Sequence, residues 1–178
     1  VIPYLRRRGG DVVLFVLSHP HADHVGGGAS VIAAMHPAEY WDGAYAGTSA
    51  PYRASLVAAR DGQVSWRHVH PGDSLVVDGV RLHVLAPDSA WMVGLTDPNA
   101  GSVVVRAEYG SIRMLLMGDA EQAEEERLVA AYGDSLRADV LKVGHHGSNT
   151  STTPDFLAHV HPRVALISVG AGNMYGHP

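Results

Sequence analysis

The sequence predicts an α/β fold. Short apolar runs recur along the chain, segments of helical periodicity stand between them, and Gly, Pro and Asp clusters punctuate the two. A length of 178 residues suits one domain, and 46% hydrophobic residues can build a real core.

Taken in order, residues 12–17 read as a buried strand, and Gly28–Met35 as a short helix closed near Pro37. Residues 49–60 have helical spacing, with Tyr52, Leu56 and Ala59 on one face. Residues 64–85 have β character, with turns at Pro71-Gly72-Asp73 and Asp78-Gly79. Residues 102–109 and 112–117 form a hairpin around Gly110-Ser111. A helix over 120–132 is stopped by Gly133, and a shorter one covers 154–159. Residues 140–143 and 164–169 are two further buried strands. No repeat or domain linker interrupts the series.

Composition narrows the function. A net charge of −5 argues against a broad, sequence-blind nucleic-acid surface, yet is compatible with a strand entering a metal-lined cleft, where the ions supply positive charge. Arg6, Arg7 and Arg8 form the one basic run, a solvated element end rather than a phosphate contact. Without cysteine there are neither disulfides nor thiolate ligands. No apolar run approaches the roughly 18 residues of a membrane span. No signal peptide is visible in a chain that starts at Val1, and nothing points to a homo-oligomer.

The densest chemistry lies in Ser18-His19-Pro20-His21-Ala22-Asp23-His24, directly after the first apolar run. His19 and His21, two apart at a strand end, point to one side and suit one ion. Asp23 and His24, at the next bend, suit a second. Imidazole and carboxylate are the usual ligands of zinc and related divalent metals. Two ions about 3.5–4 Å apart grip both oxygens of a displacement at phosphorus or carbon. The run Gly26-Gly27-Gly28 lets the backbone turn beside them.

Met117-Gly118-Asp119 ends a strand and opens a helix. Asp119 is a metal-bridging carboxylate on one reading, and on the other a helix cap partnered by Gln122. Lys142-Val143-Gly144-His145-His146-Gly147-Ser148 again sets histidines after a buried strand. Adjacent residues project differently, so His145 is taken as a metal ligand and His146 as an orienting or acid/base group. Ser148, Asn149, Thr150 and Ser151 are either substrate contacts or a polar turn. His177, between Gly176 and Pro178, lies on a loop as a proton donor or phosphate contact. His36, His68, His70, His83, His159 and His161 lack ligand-type neighbours at useful spacing and read as structural.

The H-x-H-x-D-H pattern is the signature of the metallo-β-lactamase superfamily. SHPHADHVGG, NAGS, LLMGDA, LKVGHHGS and SVGAGNMYGHP together resemble the metallo-β-lactamase-like domain of ComEC-type competence proteins, over nearly the whole chain. The resemblance implies a four-layer αββα sandwich with the site at one edge. It implies a nuclease-like phosphodiester hydrolase with two divalent ions, Zn2+ or Mn2+, on His19, His21, Asp23, His24, Asp119 and a histidine of the His145-His146 pair. Asp23, Asp119, His146 and His177 then carry the chemistry, and Asn99, Ser102, Lys142, Ser148 and Asn173 are the candidates for substrate contacts. The implied job is degradation of the non-transforming strand, a single-stranded DNA, during DNA uptake. The implied place is the outer face of the cytoplasmic membrane, beside the channel portion of the same longer protein.

The family normally begins with strands bearing a DVGQGD segment and continues past the GHP block, so the chain reads as an internal piece lacking its first strands. Many superfamily members also place a third histidine on the first ion. Here Asn99 and Ser102 occupy that stretch, which favours an oxygen-tolerant ion such as manganese. Two other readings stay open: a stand-alone hydrolase of small phosphodiesters, phosphorylcholine esters or lactones, and a non-catalytic domain that binds metal and DNA.

Overall fold

The structure is a computed structural model that describes residues 1–45 and 47–178. Among the described residues, nine strands make two sheets. In the first, β1 (Leu14–Val16), β2 (Glu39–Asp42) and β3 (Ser65–His68) run parallel. In the second, β4 (Ser74–Val77), β5 (Val80–Ala86), β6 (Val104–Tyr109) and β7 (Ile112–Leu116) are antiparallel, and β8 (Val140–Lys142) and β9 (Val164–Leu166) continue it in parallel.

Side-chain alternation along the strands decides which layers meet. In β2, Tyr40 faces the helices and Trp41, one residue on, faces the other sheet; both are fully buried. In β5 and β6, Val84 and Val105 share the Trp41 cluster with Leu14, Val16, Leu75 and Leu82. Their neighbours Leu85 and Val104 turn the opposite way. The sheets therefore press face to face.

Helices close the outer faces. α2 (Ala22–Val25), α3 (Gly28–Met35) and α4 (Ala50–Asp61) cover the first sheet through Val25, Ile32, Tyr52 and Ala59. α6 (Gln122–Tyr132), the 3-10 turn Gly133–Leu136 and α7 (Pro154–Val160) cover the second through Leu128, Leu136, Phe156 and Val160. The order is α, β, β, α, as the resemblance implies. Removing a side chain such as Phe156 or Leu136 wholly from water contributes about 1.5–3 kcal/mol. α1 (Ile2–Arg8) and α5 (Ser89–Met92) lie outside these clusters.

Local chemistry explains the boundaries. The side chain of Ser49 accepts from the Tyr52 amide at the start of α4, and Thr153 does the same for Phe156 at the start of α7, each with proline in the first turn. Asp78 and Gly79 both have positive φ, as a two-residue hairpin between β4 and β5 requires.

Three expectations need correcting. Residues 164–169 are not a buried strand: β9 ends at Leu166, and Val164 and Leu166 remain 50% and 44% exposed. It pairs only with β8, at the sheet edge, where its side chains are uncovered on one flank. The helix predicted from residue 120 begins at Gln122. β2 lay in a segment read without regular structure. The basic run Arg6-Arg7-Arg8, read as a solvated element end, is the exposed last turn of α1.

Candidate metal centre

The histidines and carboxylates of the site follow strand ends. The carbonyl of Ser18, just past β1, accepts from the Val103 amide, and the Leu17 amide donates to Trp41 in β2. The histidine loop is thus fixed to both sheets. α2 then takes one turn on the His21 carbonyl, which receives the His24 and Val25 amides. That turn brings Asp23 and His24 back towards His19.

Gly118, after β7, approaches the same loop. It has φ +57°, and a Cβ there would stand 2.8 Å from Ser18 Cβ and 3.0 Å from Ser102 Cβ. Only glycine allows that approach. Asp119 follows, with its amide donating to Ser102 Oγ at 3.0 Å. Its carboxylate caps no helix: the residue at the N-cap of α6 is Glu121, whose side chain makes no cap bond.

Three imidazole nitrogens converge on Asp119 Oδ2. His24 Nε2 lies at 3.0 Å, His146 Nε2 at 3.3 Å and His19 Nε2 at 3.8 Å. His146 Nε2 is also 3.3 Å from Asp23 Oδ2 and 3.2 Å from His24 Nε2. His21 Nδ1 lies 3.1 Å from His19 Nε2. One donor atom from each of Asp23, His24, Asp119 and His146 falls within 4.8 Å of the others.

The histidine pair divides in the opposite sense from the sequence expectation. His146 joins the cluster, while His145 Nδ1 turns to Glu121 Oε1 at 2.7 Å, which also accepts from Thr150 Oγ1. The cause is the backbone. His145 and His146 have φ +41° and +55°, a left-handed region that non-glycine residues adopt at a cost and that clusters at functional sites. Ordinary strand alternation does not predict side-chain direction there.

Electrostatics suit a cation. Burial, reinforced by His24, pushes the His19 pKa down to about 3, so its ring is neutral. Burial acts to raise the Asp119 pKa, but the hydrogen bond and charge of His24, with His19 and His146, outweigh it and hold the carboxyl below its ordinary value. The other Asp119 oxygen, Oδ1, is buried without a partner. His146 Nδ1 faces the Ser168 carbonyl at 2.7 Å; a carbonyl only accepts, so Nδ1 carries the hydrogen and Nε2 is left as a lone pair in the neutral ring. The His146 lone pair, the neutral His19 ring and a carboxylate with an unpartnered oxygen fit a divalent ion.

The cluster opens into a cavity of about 820 Å3 lined by His21, Asp23, Asn99, Asp119, His145, His146, Asn173, Tyr175 and His177 among others. Of the candidate substrate contacts, Asn99 and Asn173 line it. Ser102 is fully buried beneath, with Oγ 3.4 Å from His19 Nδ1. Lys142 bonds the Val143 carbonyl and Ser148 bonds Thr150 Oγ1, neither on the cavity wall. Burial lowers the Lys142 pKa, partly offset by Asp119. The histidines read as structural lie away from this wall.

Sequence reasoning missed three supports. Ser18 Oγ sits 3.2 Å from His19 Nδ1 and 3.0 Å from His24 Nδ1. Glu121 holds His145, and the Ser168 carbonyl holds His146. Ser18 and Glu121 adjoin the motifs, a signal that was available; a backbone carbonyl leaves none.

Residues 2–171 match the family model of the metallo-β-lactamase superfamily. The chain belongs to the metallo-β-lactamase superfamily. Among curated relatives, ComE operon protein 3 of Bacillus subtilis is 33% identical over 183 residues, covering 100% of this chain and 23% of that protein. Recombination protein 2 of Haemophilus influenzae is 33% identical, covering 100% and 20%, and competence protein ComA of Neisseria gonorrhoeae is 36% identical, covering 92% and 21%. The chain thus spans about a fifth of the length of these relatives. The solved structure of Rm3 metallo-beta-lactamase superposes with a TM-score of 0.53 at 16% identity, over 90% of this chain and 74% of that one, and shares the superfamily fold. Among the described residues no helix is long and apolar enough to cross a membrane.

Proposed function

We propose that this metallo-β-lactamase domain is a binuclear metal-dependent phosphodiesterase that cleaves single-stranded DNA. The observation that carries it is the convergence of His19, His24 and His146 on Asp119 at the floor of an open cavity. His19, His21 and Asp119 would hold one ion, and Asp23, His24 and His146, with Asp119, would hold the other. When bound, the ions, Zn2+ or Mn2+, supply activated water at neutral pH and positive charge opposite the phosphate oxygens.

The remaining groups bind and move protons. His145, held through Nδ1 by Glu121, and His177, with ring centres 5.6 Å apart, both face the cavity and serve to protonate the leaving oxygen. Tyr175 stacks on His177 at 5.8 Å and is 79% exposed at the cavity wall, a platform for an unstacked base. Asn173 organises that loop, its Oδ1 accepting from the Tyr175 and His177 amides. The name of competence protein ComA supports a role in competence; this reading extends that role to DNA uptake at the outer face of the cytoplasmic membrane, beside a channel portion of the same longer protein.

The test is cleavage of labelled single-stranded DNA in manganese and in zinc, beside a small chromogenic phosphodiester, with Asp23→Ala and Asp119→Ala as controls. Metal-dependent DNA cleavage lost in both variants supports the reading. Turnover of the small diester alone points to a small-molecule hydrolase, and tight DNA binding without turnover to a binding domain.

A further inference from the structure

We propose that the side-chain oxygen of Asn99 is a ligand of the ion held by His19 and His21, an inference that rests on the metal-centre reading above. Asn99 is 7% exposed, lines the cavity beside His21 and Asp119, and its Oδ1 has no hydrogen-bond partner. A buried amide oxygen left unpaired is costly, and such atoms in folded proteins need an explanation. Asp119 Oδ1 is a second unpartnered buried oxygen on the same wall. Two bare oxygens beside histidine nitrogens are what a cation satisfies.

The backbone around Asn99 is built for position. It lies in the 3-10 turn Pro98–Gly101, whose start is fixed by Asp97 Oδ1 accepting from the Asn99 amide at 2.9 Å. The Asn99 carbonyl accepts from the Ser102 amide, closing the turn. Ser102 Oγ in turn reaches both His19 Nδ1 and the Asp119 amide. One turn therefore presents Asn99 and supports two other ligands of the same ion. Two imidazoles, a carboxylate and a neutral amide oxygen form a harder donor set than three histidines and a carboxylate, and favour Mn2+ over Zn2+ at this position.

The experiment is calorimetric titration of the purified protein with Mn2+ and with Zn2+, for the parent, Asn99→Ala, Asn99→Asp and Asn99→His, with circular dichroism to confirm folding. The parent is expected to bind two Mn2+. Asn99→Ala should weaken one of the two by at least about tenfold and spare the other. Asn99→Asp, which keeps an oxygen and adds charge, should retain both. Asn99→His should shift that position towards Zn2+, and this decides the matter if the alanine variant does not fold. Parent-like constants for both ions in Asn99→Ala, or no change of preference in Asn99→His, overturn the role of Asn99 alone. A parent that binds no ion overturns the metal centre itself, and this inference with it.

Discussion

His24 Nε2 and His146 Nε2 face each other at 3.2 Å across the carboxylate of Asp119, although 122 residues separate them in the chain. With the His146 hydrogen committed to the Ser168 carbonyl, its Nε2 meets His24 as a lone pair. A cation between them would take both nitrogens and the carboxylate as ligands, so metal should stabilise the fold. At a free concentration about a hundred times Kd, each ion contributes about 2.7 kcal/mol. For a chain of this size that corresponds to roughly 5–10 °C in Tm. Thermal melts with and without chelator check this, and the gain should disappear in Asp119→Ala.

Gly118→Ala should damage site and fold together. The added Cβ would meet Ser18 and Ser102, which support His19, His24 and Asp119, at a φ of +57°. A loss of about 1–3 kcal/mol is expected from overpacking and strain. Urea denaturation reads it, and metal titration should show weaker binding of both ions.

Glu124 gives a pH prediction far from the chemistry. Its carboxyl is 2% exposed, neither oxygen has a partner, and burial raises its pKa well above the ordinary value, with Arg127 opposing. A carboxyl raised in the folded state favours folding at low pH and penalises it as pH climbs past the unfolded pKa, because the unfolded chain ionises first. Glu124→Gln should therefore be more stable than the parent at pH 8, by about 1–3 kcal/mol, and no more stable near pH 4. Denaturant midpoints at the two pH values give the answer.

Tyr175→Ala tests the nucleic-acid reading. Losing one stacking surface should weaken single-stranded DNA binding by about 1–3 kcal/mol, roughly 5- to 150-fold. Because Tyr175 is largely exposed, Tm should not move. Unchanged DNA affinity would remove the platform from the scheme.

Much of this was legible in the sequence because it is local. Four ligand-type residues packed into His19–His24 directly after an apolar run fix the first half of the site, and Asp78-Gly79 fixes a hairpin. What depended on tertiary context was not. β2 is four residues long, and flanking Glu39 and Asp42 hide the fully buried Tyr40-Trp41 pair. β9 looks like a core strand because its residues are apolar, but exposure is set by having one neighbour instead of two. The sorting of His145 from His146 rests on two positive φ angles that no propensity announces.

The contact between His24 and Asp119 spans 95 residues, and that between His24 and His146 spans 122. Neither can form until most of the chain has been made and both sheets have closed, since loop closure must precede any reward from such distant contacts. A nascent chain carries only His19, His21, Asp23 and His24, a weak chelator without a cleft. The candidate metal centre is thus assembled late in the folding of this domain, once both sheets are in place.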